Sequence, residues 1–261
     1  MRLATFNILH GRSPTDGRVD VSRFRDAVAS LDADVLGLQE VDRDQPRSGG
    51  ADLTAVAAEA MGAVAHRFVA ALSGTPGAAW TAATGQEQPG TAAYGIALLS
   101  RYPVASWRVV RLPGLRGRVP VWFRGRRRPV LVTDEPRVAV LADVQAPAGR
   151  VTVAVTHLSF VPGWNVVQLR RLVRATAPVP GPVVLMGDLN LTGDRPARLT
   201  RMRPLAIAPT FPVERPDRQL DHVLARGGLR ASGPVRAPAL ALSDHRALVV
   251  DVELERPGEQ G

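Results

Sequence analysis

Six short polar motifs are spread along this chain, and each follows an apolar run. One such motif could be an ordinary turn. Six in order, all at the ends of apolar runs, are hard to explain as turns and indicate strand ends that carry polar side chains. The motifs are Thr5-Phe6-Asn7, Leu38-Gln39-Glu40, Thr156-His157-Leu158-Ser159, Gly187-Asp188-Leu189-Asn190, Leu220-Asp221-His222 and Ser243-Asp244-His245.

The spacing of apolar residues predicts more strands than helices. Helical periodicity is found at 20–31, 53–61 and 166–175. Short apolar runs predict strands at 3–9, 34–38, 68–72, 94–100, 138–144, 151–156, 183–186, 220–224 and 247–252. Several of these strands follow one another as hairpins. This pattern favours an α/β fold of two sheets packed face to face, with helices outside, over a doubly wound fold.

The chain is expected to form one domain. Its 261 residues, 45% of them hydrophobic, are sufficient for a sizeable core. No internal repeat or linker divides the chain, so a single domain is predicted for residues 1–254. Residues 255–261 are polar and contain Pro and Gly, which predicts a frayed tail.

The basic residues are all arginine, because the chain contains no lysine. The formal net charge is +9, from 33 basic and 24 acidic residues. Such a charge favours nucleic acid or an anionic membrane as a partner. The abundant Ala, Pro and Gly beside the arginine are equally typical of a GC-rich genome, so the sequence leaves both interpretations open.

Residue types that the chain lacks exclude several kinds of chemistry. The absence of cysteine excludes disulfides, thiolate catalysis and a cysteine zinc site. Neither a Gly-Lys-Ser/Thr phosphate loop nor a Gly-x-Ser-x-Gly nucleophile elbow is present. No apolar run has the length of a membrane-spanning helix, and no signal peptide precedes the first motif, so a cytoplasmic location is expected.

The motifs supply oxygen ligands for a hard divalent cation. Glu40 and Asn7 could hold a magnesium ion while leaving positions open for a phosphate. Asp188, Asn190 and Asp244 could bind a second cation, or could orient an attacking water if only one metal binds. The pattern therefore predicts metal-assisted chemistry at a phosphoester.

The histidines of the motifs are candidates for moving protons. Asp221 and His245 could form a carboxylate–imidazole dyad with His245 as general base. His157 could donate a hydrogen bond to a non-bridging phosphate oxygen. Since the chain has no nucleophile elbow, direct attack by water is favoured over a covalent intermediate.

Taken together, the six motifs resemble those of the endonuclease/exonuclease/phosphatase superfamily, which includes deoxyribonuclease I, exonuclease III-type enzymes, bacterial sphingomyelinases and inositol polyphosphate 5-phosphatases. The resemblance extends over residues 3 to about 252, in the family's order. It implies a four-layer αββα sandwich of two mixed sheets with outer helices. It also implies phosphoester cleavage that depends on Mg²⁺ or Mn²⁺.

The resemblance further implies roles for the acidic and amide residues. Glu40 matches the family's principal metal carboxylate, with Asn7 beside it. Asp188 and Asn190 match the pair that orients water and phosphate. Asp244 falls beside the metal region.

The histidines match family positions as well, with departures that bear on the branch. His157 resembles the phosphate-stabilising histidine of the deoxyribonuclease and sphingomyelinase branches, and Asp221 resembles the partner of the catalytic His245. The segment 156–159 differs from the Tyr-x-Pro-Asn type of abasic-site nucleases. Ile96 occupies a position where many relatives have Asn, which removes one polar contact expected next to the site.

An arginine-rich segment, residues 108–128, is a candidate for substrate binding. It contains eight arginines, no acidic residue and the aromatic pair Trp122-Phe123. Guanidinium groups could clamp phosphates, and aromatic rings could stack on bases or enter a lipid interface. The same stretch could equally be an arginine-biased surface loop. The candidate substrate-binding residues are Arg126, Arg127, Arg128 and Trp164.

Two substrate classes remain open at this stage. The arginine-rich segment favours nucleic acid. The Thr-His-Leu-Ser segment fits a phospholipid or small-molecule phosphodiesterase of the sphingomyelinase-like branch at least as well. A non-catalytic scaffold that binds phosphorylated partners is a third alternative, against which the intact motif set argues. No obligate protein partner is evident.

Overall fold

Two mixed β-sheets lie face to face in the computed structural model of the protein, which describes residues 1–87, 90–122 and 125–255. The strands in these ranges are β1 (Arg2–Asn7), β2 (Val35–Arg43), β3 (Ala65–Gly74), β4 (Trp80–Ala82), β5 (Ala93–Ser100), β6 (Val104–Leu112), β7 (Arg118–Val121), β8 (Val130–Thr133), β9 (Arg137–Ala146), β10 (Gly149–His157), β11 (Val183–Asp188), β12 (Arg203–Pro204), β13 (Asp221–Arg226), β14 (Leu229–Ala231) and β15 (Leu248–Leu254). The α-helices are α1 (Val21–Leu31), α2 (Leu53–Met61), α3 (Trp164–Thr176) and α4 (Arg195–Thr200).

The strand order places the motif-bearing strands side by side. The first sheet runs β14-β15-β1-β2-β5-β3-β4, the second β12-β13-β11-β10-β9-β6, and β7 pairs with β8 in a separate hairpin. Strands β1 and β2 are parallel, and so are β10 and β11. Because parallel strands end at the same edge of a sheet, their terminal motifs meet: Asn7 lies opposite Gln39, and His157 opposite Asp188.

Apolar side chains fill three layers around the sheets. Residues such as Val155 and Met186 form the core between the two sheets. Phe24 of α1 packs on the outer face of the first sheet, and Leu169 of α3 on that of the second. The predicted four-layer αββα sandwich is therefore confirmed.

The helices on the first sheet begin where the sequence supplies caps. The Asp20 carboxylate accepts a hydrogen bond from the Arg23 amide at the start of α1. The Asp52 carboxylate does the same for the first turn of α2, which ends at Gly62 with a φ of 66°. The helix predicted from Asp20 thus includes its cap, and the helix predicted over 53–61 is found at those bounds.

Several strands end at residues other than those predicted, and two of them carry site residues. The predicted strand 3–9 stops at Asn7, and the chain enters a 3₁₀ turn at Leu9–Gly11. The predicted strand 34–38 is part of a longer strand, because β2 continues through a bulge at Glu40 and pairs again with β5 from Val41 onwards. A bulge leaves one residue unpaired and redirects its side chain.

Several strands were not predicted from the sequence. Strand β6 lies at the edge of the second sheet, and the hairpin of β7 and β8 stands apart from both sheets. Their exposed residues include many of the arginines of segment 108–128. Edge strands are half exposed, so their sequences need not be apolar.

Among the helices of the described ranges, none has the length and apolar character needed to cross a membrane. Two predictions concern residues outside the described ranges. The predicted frayed tail falls there from residue 256 onwards, and Phe123 of the aromatic pair falls in the gap at 123–124.

Substituting Gly37 with Ala should destabilise the sandwich. A Cβ atom at Gly37 of β2 would lie 2.7 Å from Cγ2 of Val155 in the facing sheet, and a β-branched side chain cannot easily turn away. We expect a loss of about 1–3 kcal/mol in the free energy of unfolding, the usual effect of overpacking. Urea unfolding measures it. The control is Gly228→Ala, where the nearest atom to an added Cβ is 3.4 Å away; equal losses in both variants would contradict close packing at Gly37.

Candidate active site

A cleft of about 640 Å³ opens where the motif-bearing strands of both sheets end. Asp221, fully buried, hydrogen bonds one of the residues that line it. The structure thus brings together residues from all six motifs or their immediate neighbours. The lining residues that the motifs had indicated are Asn7, Glu40, His157, Asp188, Asn190 and His245.

Asn7 joins two carboxylates in this cleft. Its Nδ2 atom donates to Oε1 of Glu40 at 3.0 Å and to Oδ2 of Asp188 at 3.1 Å. Its Oδ1 atom accepts from the Leu9 amide at 3.2 Å. Its backbone carbonyl accepts from the Ser243 hydroxyl at 2.6 Å, which ties the first motif to the last. Asn7 therefore places the positive end of its amide between the two acids.

The Glu40 side chain enters the cleft because of its backbone. Glu40 is the bulged residue of β2 and has a φ of 58°, a left-handed conformation that is uncommon for residues other than glycine. Burial raises the pKa of its carboxyl, and the hydrogen bond from Asn7 offsets this only in part. A buried carboxylate whose negative charge is only partly offset by its neighbours is suited to binding a cation.

Asp188 occupies the centre of the cluster. The preceding Gly187 has a φ of 141°, and a Cβ atom there would lie 1.9 Å from the Thr156 carbonyl, so this strand end requires glycine. Oδ1 of Asp188 accepts from the Asn190 amide at 2.9 Å. Burial raises the pKa of Asp188 despite the opposing charge of His245.

His245 and Asp221 form the predicted dyad geometry. Nδ1 of His245 lies 2.8 Å from Oδ2 of Asp221, and Nε2 lies 3.8 Å from Oδ2 of Asp188. The ring packs against Phe211, with 4.8 Å between centroids. Burial lowers the pKa of His245, but the charge and hydrogen bond of Asp221 raise it on balance.

His157 has a different kind of partner. Nη1 of Arg137, a buried side chain at the start of β9, lies 3.2 Å from Nδ1 of His157. Nε2 of His157 lies 3.5 Å from Oδ2 of Asp188. Burial and the charge of Arg137 hold the pKa of His157 well below its usual value.

Sequence reasoning had missed Arg137 and other lining residues. Tyr94, Phe211 and Arg218 also line the cleft, and the Arg218 guanidinium lies 4.8 Å from the centroid of the Phe211 ring. None of them belongs to a polar motif at a strand end. Among the many arginines of the chain, no local signal distinguishes Arg137 from the exposed ones.

Two predicted site residues, Asp244 and Trp164, do not line the cleft. Asp244 is half-buried and does not line the cleft, although its charge raises the pKa of both Glu40 and His245. The Trp164 indole donates to the Pro113 carbonyl at 3.1 Å, at the start of α3, and the structure does not bring it to the cleft.

The arginines of the predicted substrate clamp are separate from the acidic cluster. Arg126, Arg127 and Arg128 are exposed in the connection between β7 and β8 and do not line the cleft. Trp122, at the end of β7, does line it and is 68% exposed. The β7–β8 hairpin therefore lines the cleft through Trp122, and the three arginines lie in the connection between its strands.

The donor set of the cleft fits a hard divalent cation. Glu40 and Asp188 offer carboxylate oxygens, and the raised pKa of each shows that the nearby cationic groups do not fully offset burial. Ligand atoms of Asp188, Asp221 and His245 also lie within 4.8 Å of one another. The hydrogen bond between Asp221 and His245 engages two of those three groups. Glu40 and Asp188 are therefore the better-suited carboxylates.

Comparisons with known proteins identify the family and the fold of the chain. The sequence model of the endonuclease/exonuclease/phosphatase family matches residues 4–245. An endonuclease/exonuclease/phosphatase from Beutenbergia cavernae is 25% identical, with a TM-score of 0.70 over 97% of this chain and 71% of that one. A second, from Bacteroides vulgatus, is 20% identical, with a TM-score of 0.66 over 97% of this chain and 98% of its own.

More distant structures share the fold alone. A mannosyl-6-phosphatase from Bacteroides thetaiotaomicron is 13% identical, with a TM-score of 0.61 over 97% of this chain and 100% of that one. No curated protein sequence matches the chain significantly.

Substituting Glu40 with Gln should stabilise the metal-free protein, and more at about pH 8 than at about pH 5. Burial raises the folded-state pKa of Glu40. The stability that this group contributes is therefore present below its unfolded pKa and is lost as the pH rises through the folded pKa. Urea unfolding in chelator at the two pH values measures the difference.

The matched control for this experiment is Glu59→Gln. Glu59 is exposed, and its bond with Arg25 lowers its pKa, so neutralising it should not stabilise the protein at the higher pH. A Glu40→Gln variant that is less stable than wild type at about pH 8 would contradict the assignment of Glu40 as an uncompensated carboxylate.

Proposed function

This chain belongs to the endonuclease/exonuclease/phosphatase family, and we propose that it is a metal-dependent phosphodiesterase or phosphatase in which water attacks phosphorus directly. The observation that carries the proposal is the convergence of Glu40, Asp188 and the Asp221–His245 dyad on one cleft. Each group required for phosphoester hydrolysis has a candidate there: oxygens for a cation, a base, and donors for the phosphate.

Glu40 and Asp188 are the residues that would hold Mg²⁺ or Mn²⁺, with Asn190 and Asp244 close by. The bound cation would supply Lewis-acid polarisation of the phosphate. Asn7 presents its NH₂ group to both carboxylates, so in this arrangement it orients them. A direct ligand role for its Oδ1 atom would require the amide to turn.

The chain's own groups then act on water and phosphate. Oδ2 of Asp188 and Nε2 of His245 lie 3.8 Å apart, a separation that one water molecule can bridge. In the proposed reaction the neutral form of His245 accepts the proton of that water at Nε2, while Asp221 holds the ring through Nδ1. Asn190 and His157 would bind non-bridging phosphate oxygens.

The walls of the cleft favour a nucleic acid as substrate. Trp122 is 68% exposed and provides a ring on which a base can stack, and Arg218 also lines the cleft. The β7–β8 hairpin also carries Arg126, Arg127 and Arg128, which are all exposed. One observation favours the alternative of a phospholipid: Trp122 and Leu131 of the same hairpin are 68% and 53% exposed. We also propose that the protein is cytoplasmic.

Hydrolysis of three substrates should identify the activity and its branch. We expect bis-p-nitrophenyl phosphate and plasmid DNA to be cleaved with Mg²⁺ or Mn²⁺ but not in EDTA, and sphingomyelin to be cleaved only if the lipid alternative holds. His245→Ala should lower kcat by roughly 10²–10⁴-fold, because a general base is lost. Glu40→Ala should lose most of the activity, and the activity that remains should no longer depend on the metal.

The control is His66→Ala, an exposed histidine outside the cleft. Unchanged turnover in a folded His245→Ala variant would refute the dyad assignment. Binding of phosphorylated ligands that persists in EDTA, without hydrolysis of any substrate, would favour the scaffold alternative.

Replacing Arg126, Arg127 and Arg128 by Gln tests whether these exposed arginines bind the substrate. If these residues contact phosphates, KM for DNA should rise. The slope of log KM against log salt concentration should also become shallower, by the equivalent of about three phosphate contacts. KM for bis-p-nitrophenyl phosphate should stay unchanged, because that substrate is too small to reach them. Initial rates across a salt series measure both effects.

Three exposed arginines elsewhere provide the matched control: Arg67, Arg170 and Arg174, also changed to Gln. The net charge falls equally in both triple variants. If both change KM for DNA to the same extent, the hairpin has no specific role and its arginines are ordinary surface residues.

A further inference from the structure

Two histidines face Asp188, and their Nδ1 atoms have partners of opposite character. Nδ1 of His245 lies 2.8 Å from a carboxylate oxygen of Asp221. Nδ1 of His157 lies 3.2 Å from Nη1 of Arg137. The Arg137 side chain is 6% exposed, so water competes little for this contact.

Arginine determines the direction of the second bond. A guanidinium has only N–H donors and no acceptor. Nδ1 of His157 must therefore accept with its lone pair, and the single proton of the neutral ring is on Nε2. A proton on Nδ1 would point at the N–H of Arg137, and a doubly protonated ring would put two positive charges 3.2 Å apart.

The surroundings of Nε2 agree with a proton at that atom. Oδ2 of Asp188, an acceptor, lies 3.5 Å away. Nδ2 of Asn190 lies 3.4 Å from Nε2 and donates one of its two N–H groups to the Leu158 carbonyl at 3.0 Å. Exchanging the amide oxygen and nitrogen of Asn190 would set an oxygen against that carbonyl, so the orientation of the amide is fixed by the backbone.

We propose that Arg137 is a positioning residue that holds His157 as the Nε2–H tautomer, so that His157 donates a hydrogen bond to the substrate phosphate. This inference rests on the proposed function for its phosphate, but the tautomer itself does not. By the same logic, Nδ1–H of neutral His245 donates to Asp221, which leaves a lone pair on Nε2 for a base. The two histidines thus have fixed and different roles.

The fold makes this contact rigid. Arg137 begins β9 and His157 ends β10, and these strands pair antiparallel from Gly149 opposite Ala146 to Thr156 opposite Ala139. The Arg137 guanidinium is further held near Glu135, 3.6 Å away. A donor that is already oriented before the reaction stabilises developing charge on phosphate oxygens without reorganising.

The test is the ¹⁵N NMR spectrum of the His157 ring in the full chain, labelled with ¹⁵N-histidine and assigned with a His157→Gln variant. Two-bond correlations from the ring carbon protons distinguish a protonated from an unprotonated nitrogen. At neutral pH we expect Nε2 protonated and Nδ1 unprotonated in wild type. In Arg137→Met the pattern should change to a tautomer mixture, whereas Arg111→Met, which removes an arginine bonded to the Ala83 carbonyl, should leave it as in wild type.

Kinetics separate a positioning role from direct phosphate binding. Arg137→Met should lower kcat by about 10- to 100-fold, as loss of a residue that orients a site group usually does. Combined with His157→Gln, it should add little to the loss from His157→Gln alone, because Arg137 acts through that ring. Additive losses would show that Arg137 contacts the substrate itself and would overturn the proposal.

The spectrum decides even if no substrate is found or Arg137→Met fails to fold. A wild-type His157 with its proton on Nδ1 overturns the proposal without any variant. A wild-type Nε2–H ring in a protein that hydrolyses no phosphoester supports the tautomer while refuting the proposed function.

Discussion

Buried negative charge is the constraint on which the site depends. Asp188 and Asp221 are buried and Glu40 is half-buried, all at the ends of strands in two facing sheets. Taking such charges out of water costs several kcal/mol each unless partners compensate. Asn7 donates to Glu40 and Asp188, and His245 lies between Asp188 and Asp221. A divalent cation is the further partner that such a set of oxygens favours.

The two histidines of the cleft have partners of opposite charge, and these partners give the rings different properties. A ring bonded to a carboxylate, as in His245 with Asp221, gains basicity at its free nitrogen. A ring bonded to a guanidinium, as in His157 with Arg137, remains neutral and can only donate from its free nitrogen. In the proposed mechanism, one cluster therefore provides both a site for a proton and a donor for phosphate.

Much of this arrangement could be predicted from the sequence, because a polar residue that ends an apolar run is visible without a structure. Asn7 and His157 end strands that have a parallel neighbour, so their convergence follows from the topology. The sequence could not indicate Arg137, whose role depends on the register between β9 and β10. It also could not show the β7–β8 hairpin, since exposed strands need no apolar run, or that Trp164 contacts a backbone carbonyl away from the cleft.

The central claim is that the carboxylates of Glu40 and Asp188 form a cation site, and calorimetric titration of Mn²⁺ into chelator-treated protein tests it most directly. We expect wild type and His245→Ala to bind the ion and Glu40→Gln to lose most of that binding, while circular dichroism shows all three to be folded. Equal affinity of wild type and Glu40→Gln would contradict the claim, because the cation would then be held without the carboxylate around which the cleft is built.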